Sequence, residues 1–163
     1  MKFGKLLVVA ATALAACAPS AGPTAASRDA CARFDGDGMV VAEAWVRPAA
    51  KGQMSAVYAA ICNLGVTDDA LIGASSEAAE AVELHASAKS AVGVASMTAL
   101  PRLAAPAGGN AALKPGGAHL MLIGLKDAIE PGSEISITFE FENSPPVTVS
   151  AVAKMSADAH AGQ

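Results

Sequence analysis

Two histidines and two methionines form the set of side chains in this sequence best suited to joint chemistry. Eleven residues separate His85 from Met97, twenty-one separate Met97 from His119, and one separates His119 from Met121. Imidazole is a borderline nitrogen donor and a thioether is a soft sulfur donor, and together they suit Cu(I). With neutral imidazoles the set carries no negative charge, which favours a low-charge cation. Zn(II) would want thiolate or carboxylate beside histidine. Thioethers do not titrate, so protons would compete for such a site only through imidazole.

The four residues must be positioned by strands. Period two along His119-Leu120-Met121-Leu122 puts His119 and Met121 on one face and the leucines on the other. Leucine belongs in a core, so His119 and Met121 are expected to face outward. In Val82-Glu83-Leu84-His85, Val82 and Leu84 point inward, and His85 shares the outward face with Glu83. In Val92 to Met97, Met97 takes the face opposite Val92 and Val94. One rule therefore directs all four away from the core, as an exposed site. A lone methionine is usually core filler, and His-x-Met alone is a weak signal. The coincidence of four carries the reading.

The surrounding chain is patterned for strands. Candidates are Met39–Val46, Ser55–Asn63, Ala70–Ser75, Ala81–Ala86, Val92–Ala99, Ala118–Ile123, Glu134–Glu142 and Val147–Ala153. Ser76 to Glu80 reads as a helical turn or a loop, and Ala104 to Asn110 as a Pro/Gly-rich loop. Lys114-Pro115-Gly116-Gly117 and Glu130-Pro131-Gly132-Ser133 are turns, with proline presetting one φ and glycine supplying the other. Short strands bounded by turn residues predict an all-β sandwich or barrel over 39–153.

The N-terminus reads as an address. Residues 1–17 carry two lysines and then a short apolar run from Leu6 to Ala16, too short to span a bilayer. Leu14-Ala15-Ala16-Cys17 resembles a bacterial lipobox, which would make Cys17 the lipid-bearing first residue of the mature chain. A plain secreted protein cut elsewhere is the alternative. Residues 18–38 form a tether whose opening stretch is rich in Ala, Pro and Ser and cannot bury a core. Cys31 and Cys62 remain, and an exported pair is readily a disulfide. A reactive thiol or metal ligand at Cys62 is the other reading. Residues 154–163 are a C-terminal tail.

Composition excludes several functions. The chain has 163 residues, 11 basic against 15 acidic, and 4% aromatic residues. A net charge of −4 argues against nucleic acid, which wants a basic face. No phosphate-cradling glycine loop, Gly-x-Ser-x-Gly or His-Glu-x-x-His occurs, and no nucleophile–base pair points to an enzyme.

The spacing H-x11-M-x21-H-x-M resembles that of the periplasmic copper chaperone family known as PCuAC. Ala44-Trp45-Val46-Arg47-Pro48, Ala56-Val57-Tyr58 with Asn63-Leu64-Gly65, Val82-Glu83-Leu84-His85 and Leu113 through Leu122 are similar to its motifs, over roughly Val40 to Val152. The resemblance implies a cupredoxin-like Greek-key β-sandwich. It implies a Cu(I) site of His85, Met97, His119 and Met121, and a carrier that is not an enzyme. It further implies delivery to the CuA domain of cytochrome c oxidase subunit II, directly or beside Sco-type copper proteins. The expected place is the periplasm of a Gram-negative bacterium, with membrane contact only through the lipid anchor. Many relatives carry methionine after the first histidine, and Ala86 stands there instead. Met54 is a candidate auxiliary thioether. Met155 and His160 in the tail are candidates for Cu(II), against a tail with no metal role.

Three other functions compete. A copper-tolerance or storage protein would use the same site. A blue-copper electron carrier would need a cysteine thiolate beside two histidines, and neither Cys31 nor Cys62 sits in a suitable Cys…His…Met loop. An envelope β-domain for adhesion or assembly would bind no metal.

Overall fold

A computed structural model of the chain describes residues 29–89 and 95–155. The address segment, Cys17 and His160 lie outside the described residues, as do Val92 and Val94. Ten strands follow one another: β1 Met39–Val46, β2 Ser55–Asn63, β3 Asp69–Ser75, β4 Ala79–Lys89, β5 Ala95–Ala99, β6 Leu103–Ala105, β7 Asn110–Leu113, β8 Ala118–Leu125, β9 Glu134–Phe141 and β10 Val147–Ala153. They form one hydrogen-bonded path in the order β5-β4-β8-β2-β1-β10-β9-β3-β6, with β7 added to β2. Only β1 and β10 run parallel among the described pairs. The path folds back so that β3 comes against β4 and β6 against β7. The fold class expected from the turn-bounded pattern, an all-β sandwich, is the one observed.

Alternation explains the individual strands. In β9, Ile137, Phe139 and Phe141 are buried while Glu134, Ser136 and Glu140 face solvent. β8 buries Leu120, Leu122 and Leu125 in the core cluster shared with Val57, Ile61, Leu71 and Leu84. β2 is the exception, buried along nearly its whole length. It is central: Ser55–Val57 pair with β8 and Ala59–Cys62 pair with β7, while β1 lies on its other side. Small alanines at 59 and 60 let both faces be covered. Asn63 closes the strand, its amide donating to the carbonyls of Thr67 and Ala105 at 2.8 Å and its oxygen accepting from Gly65 N–H at 3.0 Å.

β1 carries a bulge. Its register with β2 shifts between Ala42 and Trp45, and Glu43 there has φ 53°. The extra residue re-aims the strand. Trp45, rather than Ala44, therefore comes opposite Tyr58. The Arg33 guanidinium pairs with the Glu43 carboxylate at this point.

Three local expectations are corrected. β6 and β7 flank and enter the stretch read as a loop; at three and four residues they are too short to show a period. Ala79 and Glu80, read as part of a helical turn or loop, open β4 instead, because pairing of Ala79 with Leu125 overrides alanine's helix preference. The tether expected to run to residue 38 gives way earlier: Ala30 and Cys31 are buried against Ala42, Ala60 and Cys62. Cys31 and Cys62 are disulfide-bonded, with a Cα–Cα separation of 5.5 Å. The staple sits toward the Asn63 end of β2, away from the Ser55–Tyr58 half.

The bridge spans a sequence separation of 31 residues. Loop entropy of that length predicts that reduction, or Cys31→Ser with Cys62→Ser, lowers stability by about 3–4 kcal/mol, read from urea denaturation with and without reductant. Asp69 makes a second prediction. Burial pushes its carboxyl up, but hydrogen bonds from the Ser144 side chain and from the backbone of Ala70, Asn143 and Ser144 outweigh burial and hold it below its ordinary value of 3.8. A lowered carboxylate pKa stabilises the fold above the unfolded-state value and loses that contribution as pH falls through the folded-state one. Asp69→Asn should therefore destabilise by about 1–3 kcal/mol at neutral pH, and the difference from the unchanged protein should shrink in urea titrations below pH 3.8.

Candidate metal centre

The strand order places β5, β4, β8 and β2 side by side, and their register sets the site. His85 of β4 lies directly opposite His119 of β8. Their ring centroids are 6.1 Å apart at an interplanar angle of 68°. Tyr58 of β2 stands 6.4 Å from His119 on its other side, and Trp45 of β1 is 4.4 Å beyond. A row of four rings thus crosses four strands. Met121 is opposite Ala56 on one side and Glu83 on the other. Met97 is opposite Ser87, on the same face as His85 and diagonal to it. Diagonal partners on one face are about 7–8 Å apart at the backbone, within reach of a long side chain.

Met54, Met97, His119 and Met121 line one open cleft of 470 Å³, together with Arg47 and Pro115. Ala56 and Gly116 leave room beneath them. His85 stands beside His119 across the strand pair. The expectation of an exposed site needs correction at His119, which is only 4% exposed. It does occupy the face opposite Leu120 and Leu122, but the rings of Tyr58 and His85 flank it there. The His85 side chain is 15% exposed, Met121 is half-buried, and Met97 alone of the four is open to solvent, at 61%. Met54 is similarly open. Met155 is exposed and does not line the cleft.

Hydrogen bonds orient both imidazoles. The turn Lys114-Pro115-Gly116-Gly117 closes with Gly117 N–H donating to Lys114 C=O at 3.0 Å, and Gly116 takes φ 75°, which glycine adopts without steric cost. The Gly117 carbonyl then accepts from Ser87 N–H and lies 3.0 Å from His119 Nδ1. A carbonyl has two lone pairs and can accept both. His119 Nδ1 therefore carries the proton, and Nε2 keeps its lone pair. At His85, Nε2 lies 2.8 Å from the Glu83 carboxylate, while Nδ1 is buried with no hydrogen-bond partner. A buried ring nitrogen left unpaired is costly in a finished structure and fits a position meant for a ligand.

Among the described residues no three His, Cys, Asp or Glu side chains converge as a metal site. The donors beside the two imidazoles on this face include the thioethers of Met97 and Met121, which are soft. The disulfide also removes both described cysteines as thiolate ligands, leaving a blue-copper centre without its defining donor. Glu83, Tyr58 and Gly117 are parts of the site that the spacing of histidines and methionines does not reveal. Glu83 was legible only as a neighbour of His85 on one strand face, and Gly117 only as the last residue of a turn.

Fold and face together define an all-β domain carrying a Met/His cluster at one sheet face. The chain belongs to the family described as "Putative lipoprotein LpqE-like", whose model matches residues 39–153. It is 36% identical over 115 residues, 69% of each chain, to "Putative lipoprotein Lxx21020" of Leifsonia xyli subsp. xyli. Among solved structures it is similar to the apo PCuAC domain from PmoF1, with 27% identity and a TM-score of 0.62 over 74% of this chain and 97% of that one. It is also similar to CuI-DR1885 from Deinococcus radiodurans, with 28% identity and a TM-score of 0.52 over 69% and 77%. The copper-bound PCuAC domain from PmoF2, at 21% identity and a TM-score of 0.60 over 74% and 96%, shares the fold.

The two faces of β8 should separate in stability measurements. Leu120→Ala is expected to cost about 2–5 kcal/mol, as for a fully buried leucine. Met121→Ala, on the cleft face, should cost less than about 1 kcal/mol. Urea midpoints measure both, and equal losses would mean that Met121 is core.

Proposed function

We propose that this protein is an extracytoplasmic copper chaperone that binds Cu(I) through His85, Met97, His119 and Met121 and passes it to a partner. The observation that carries the reading is the His85–His119 cross-strand pair with Met97 and Met121 on the same sheet face. Two neutral imidazoles and two thioethers match a soft monovalent ion. The solved neighbours described as copper-loaded share this fold.

The layout suits transfer. The histidines are held within the sheet face, whereas Met97 stands open at the cleft. A partner's ligands can approach from that side while the histidines still hold the ion, so copper need not pass free through solvent. Met54 adds a second open thioether at the same mouth. A carrier must release what it binds, and open thioethers at the mouth are donors a partner's ligands can replace. On family resemblance the recipient is the CuA domain of cytochrome c oxidase subunit II, directly or with Sco-type proteins. The lipoprotein names of the family and its relative support a lipid anchor, for which Cys17 is the residue the lipobox-like sequence offers. No helix of the described residues is long and apolar enough to cross a membrane.

The test is an anaerobic Cu(I) competition titration against a coloured chelator, with His119→Ala/Met121→Ala beside the unchanged chain. Colourless one-to-one binding, weakened at least about 100-fold in the variant, is expected. Failure of the unchanged protein to compete would leave an envelope β-domain without a metal role.

A further inference from the structure

We propose that Glu83 is a positioning residue that locks His85 as its Nε2–H tautomer, so that copper is offered Nδ1 of His85 but Nε2 of His119. The assignment rests on the copper-binding reading above and adds to it which nitrogens ligate and what decides this.

The proton positions follow from acceptor chemistry. A carboxylate only accepts hydrogen bonds. At 2.8 Å from Glu83 Oε2, His85 Nε2 must therefore be the protonated nitrogen. A neutral imidazole has one N–H, so Nδ1 holds the lone pair, and Nδ1 is the buried atom with no partner. The opposite tautomer fails twice: it sets two acceptors against each other at Glu83 and leaves a buried N–H with nothing to donate to. His119 is fixed the other way round. Its Nδ1 faces the Gly117 carbonyl at 3.0 Å, which also only accepts, so the proton sits there and Nε2 is free.

The two locks differ in origin. The acceptor for His119 is backbone, fixed by the Pro115-Gly116 turn and shared with Ser87 N–H. The acceptor for His85 is a side chain two residues away on the same strand face, and it can be changed without touching the backbone. Glu83 is 53% exposed while the His85 side chain is 15% exposed, so the carboxylate can be replaced without opening the core. A hydrogen bond to a carboxylate also raises the basicity of the ring's other nitrogen, which strengthens it as a ligand. His85 would then hold the ion through the ring nitrogen nearer its own backbone, and His119 through the farther one. The paired rings, edge to face at 68°, thus present unlike ends.

Long-range proton–nitrogen NMR on uniformly ¹⁵N-labelled protein, apo and loaded with Cu(I) under argon, tests this. In the apo protein His85 should show the Nε2–H pattern and His119 the Nδ1–H pattern. On loading, His85 Nδ1 and His119 Nε2 should shift while the protonated nitrogens change little. Glu83→Ala should give mixed His85 tautomers and a 10–100-fold loss of Cu(I) affinity at an unchanged urea midpoint. Glu83→Gln, whose amide oxygen still accepts from Nε2–H while its NH2 can also donate, should recover only part of the Nε2–H population and of the affinity. A shift at His85 Nε2 on loading, with Nδ1 unmoved, would overturn the proposal and make Glu83 a group displaced by copper. An Nδ1–H His85 in the apo protein would also overturn it. If no histidine nitrogen responds to Cu(I), the copper reading itself fails and takes the ligand assignment with it, while the apo tautomers still report whether Glu83 locks His85.

Discussion

The register between β4 and β8 is the constraint on which the site depends. His85 can meet His119 only if Leu84 meets Leu120 and Val82 meets Leu122, and these pairs lie on opposite faces of the same two strands. A slip of one residue would turn every side chain of a strand to the other face. It would put a histidine into the core and a leucine into the cleft. Burying one leucine is worth about 1.5–3 kcal/mol, and Leu84, Leu120 and Leu122 are all buried. The core thus pins the histidines without touching them, and the site inherits its precision from apolar packing.

The remaining devices serve the same face from further away. The β1 bulge at Glu43 brings Trp45 opposite Tyr58, and Tyr58 flanks His119. The glycine turn before β8 supplies the carbonyl that orients His119 and receives Ser87 of β4. β2 holds both ends together: its first half pairs with β8 at the cleft, and its far end carries Cys62, bridged to Cys31. The chain therefore enters the sandwich at the end of β2 remote from the cleft. It leaves along β10, where Lys154 N–H donates to Val46 C=O at 2.9 Å, next to Arg47 of the cleft wall.

Much of this was legible from period two alone. The alternation in His119-Leu120-Met121-Leu122 assigned faces correctly because leucines on one side left no choice for the other. Period two is blind to what lies over a face. His119 is buried because Tyr58 arrives from β2 and His85 from β4, and no local pattern reports a neighbour brought by topology. The same blindness hid the role of Glu83, which looks like any solvent-facing carboxylate until its distance to His85 is known. β6 and β7 are too short to carry a period. Ala30 and Cys31 look like tether by composition; the disulfide expected from the exported cysteine pair is present and, with their burial, places them in the folded body.

In the proposed centre, sulfur and imidazole from this one face bind the same copper ion. Copper K-edge X-ray absorption on the anaerobically Cu(I)-loaded protein tests it most directly. The expected first shell is two thioether sulfurs and two imidazole nitrogens, with the sulfur contribution halved in Met97→Ala and the imidazole outer-shell scattering reduced in His85→Ala. A first shell of nitrogen and oxygen alone, unchanged by either substitution, would contradict it.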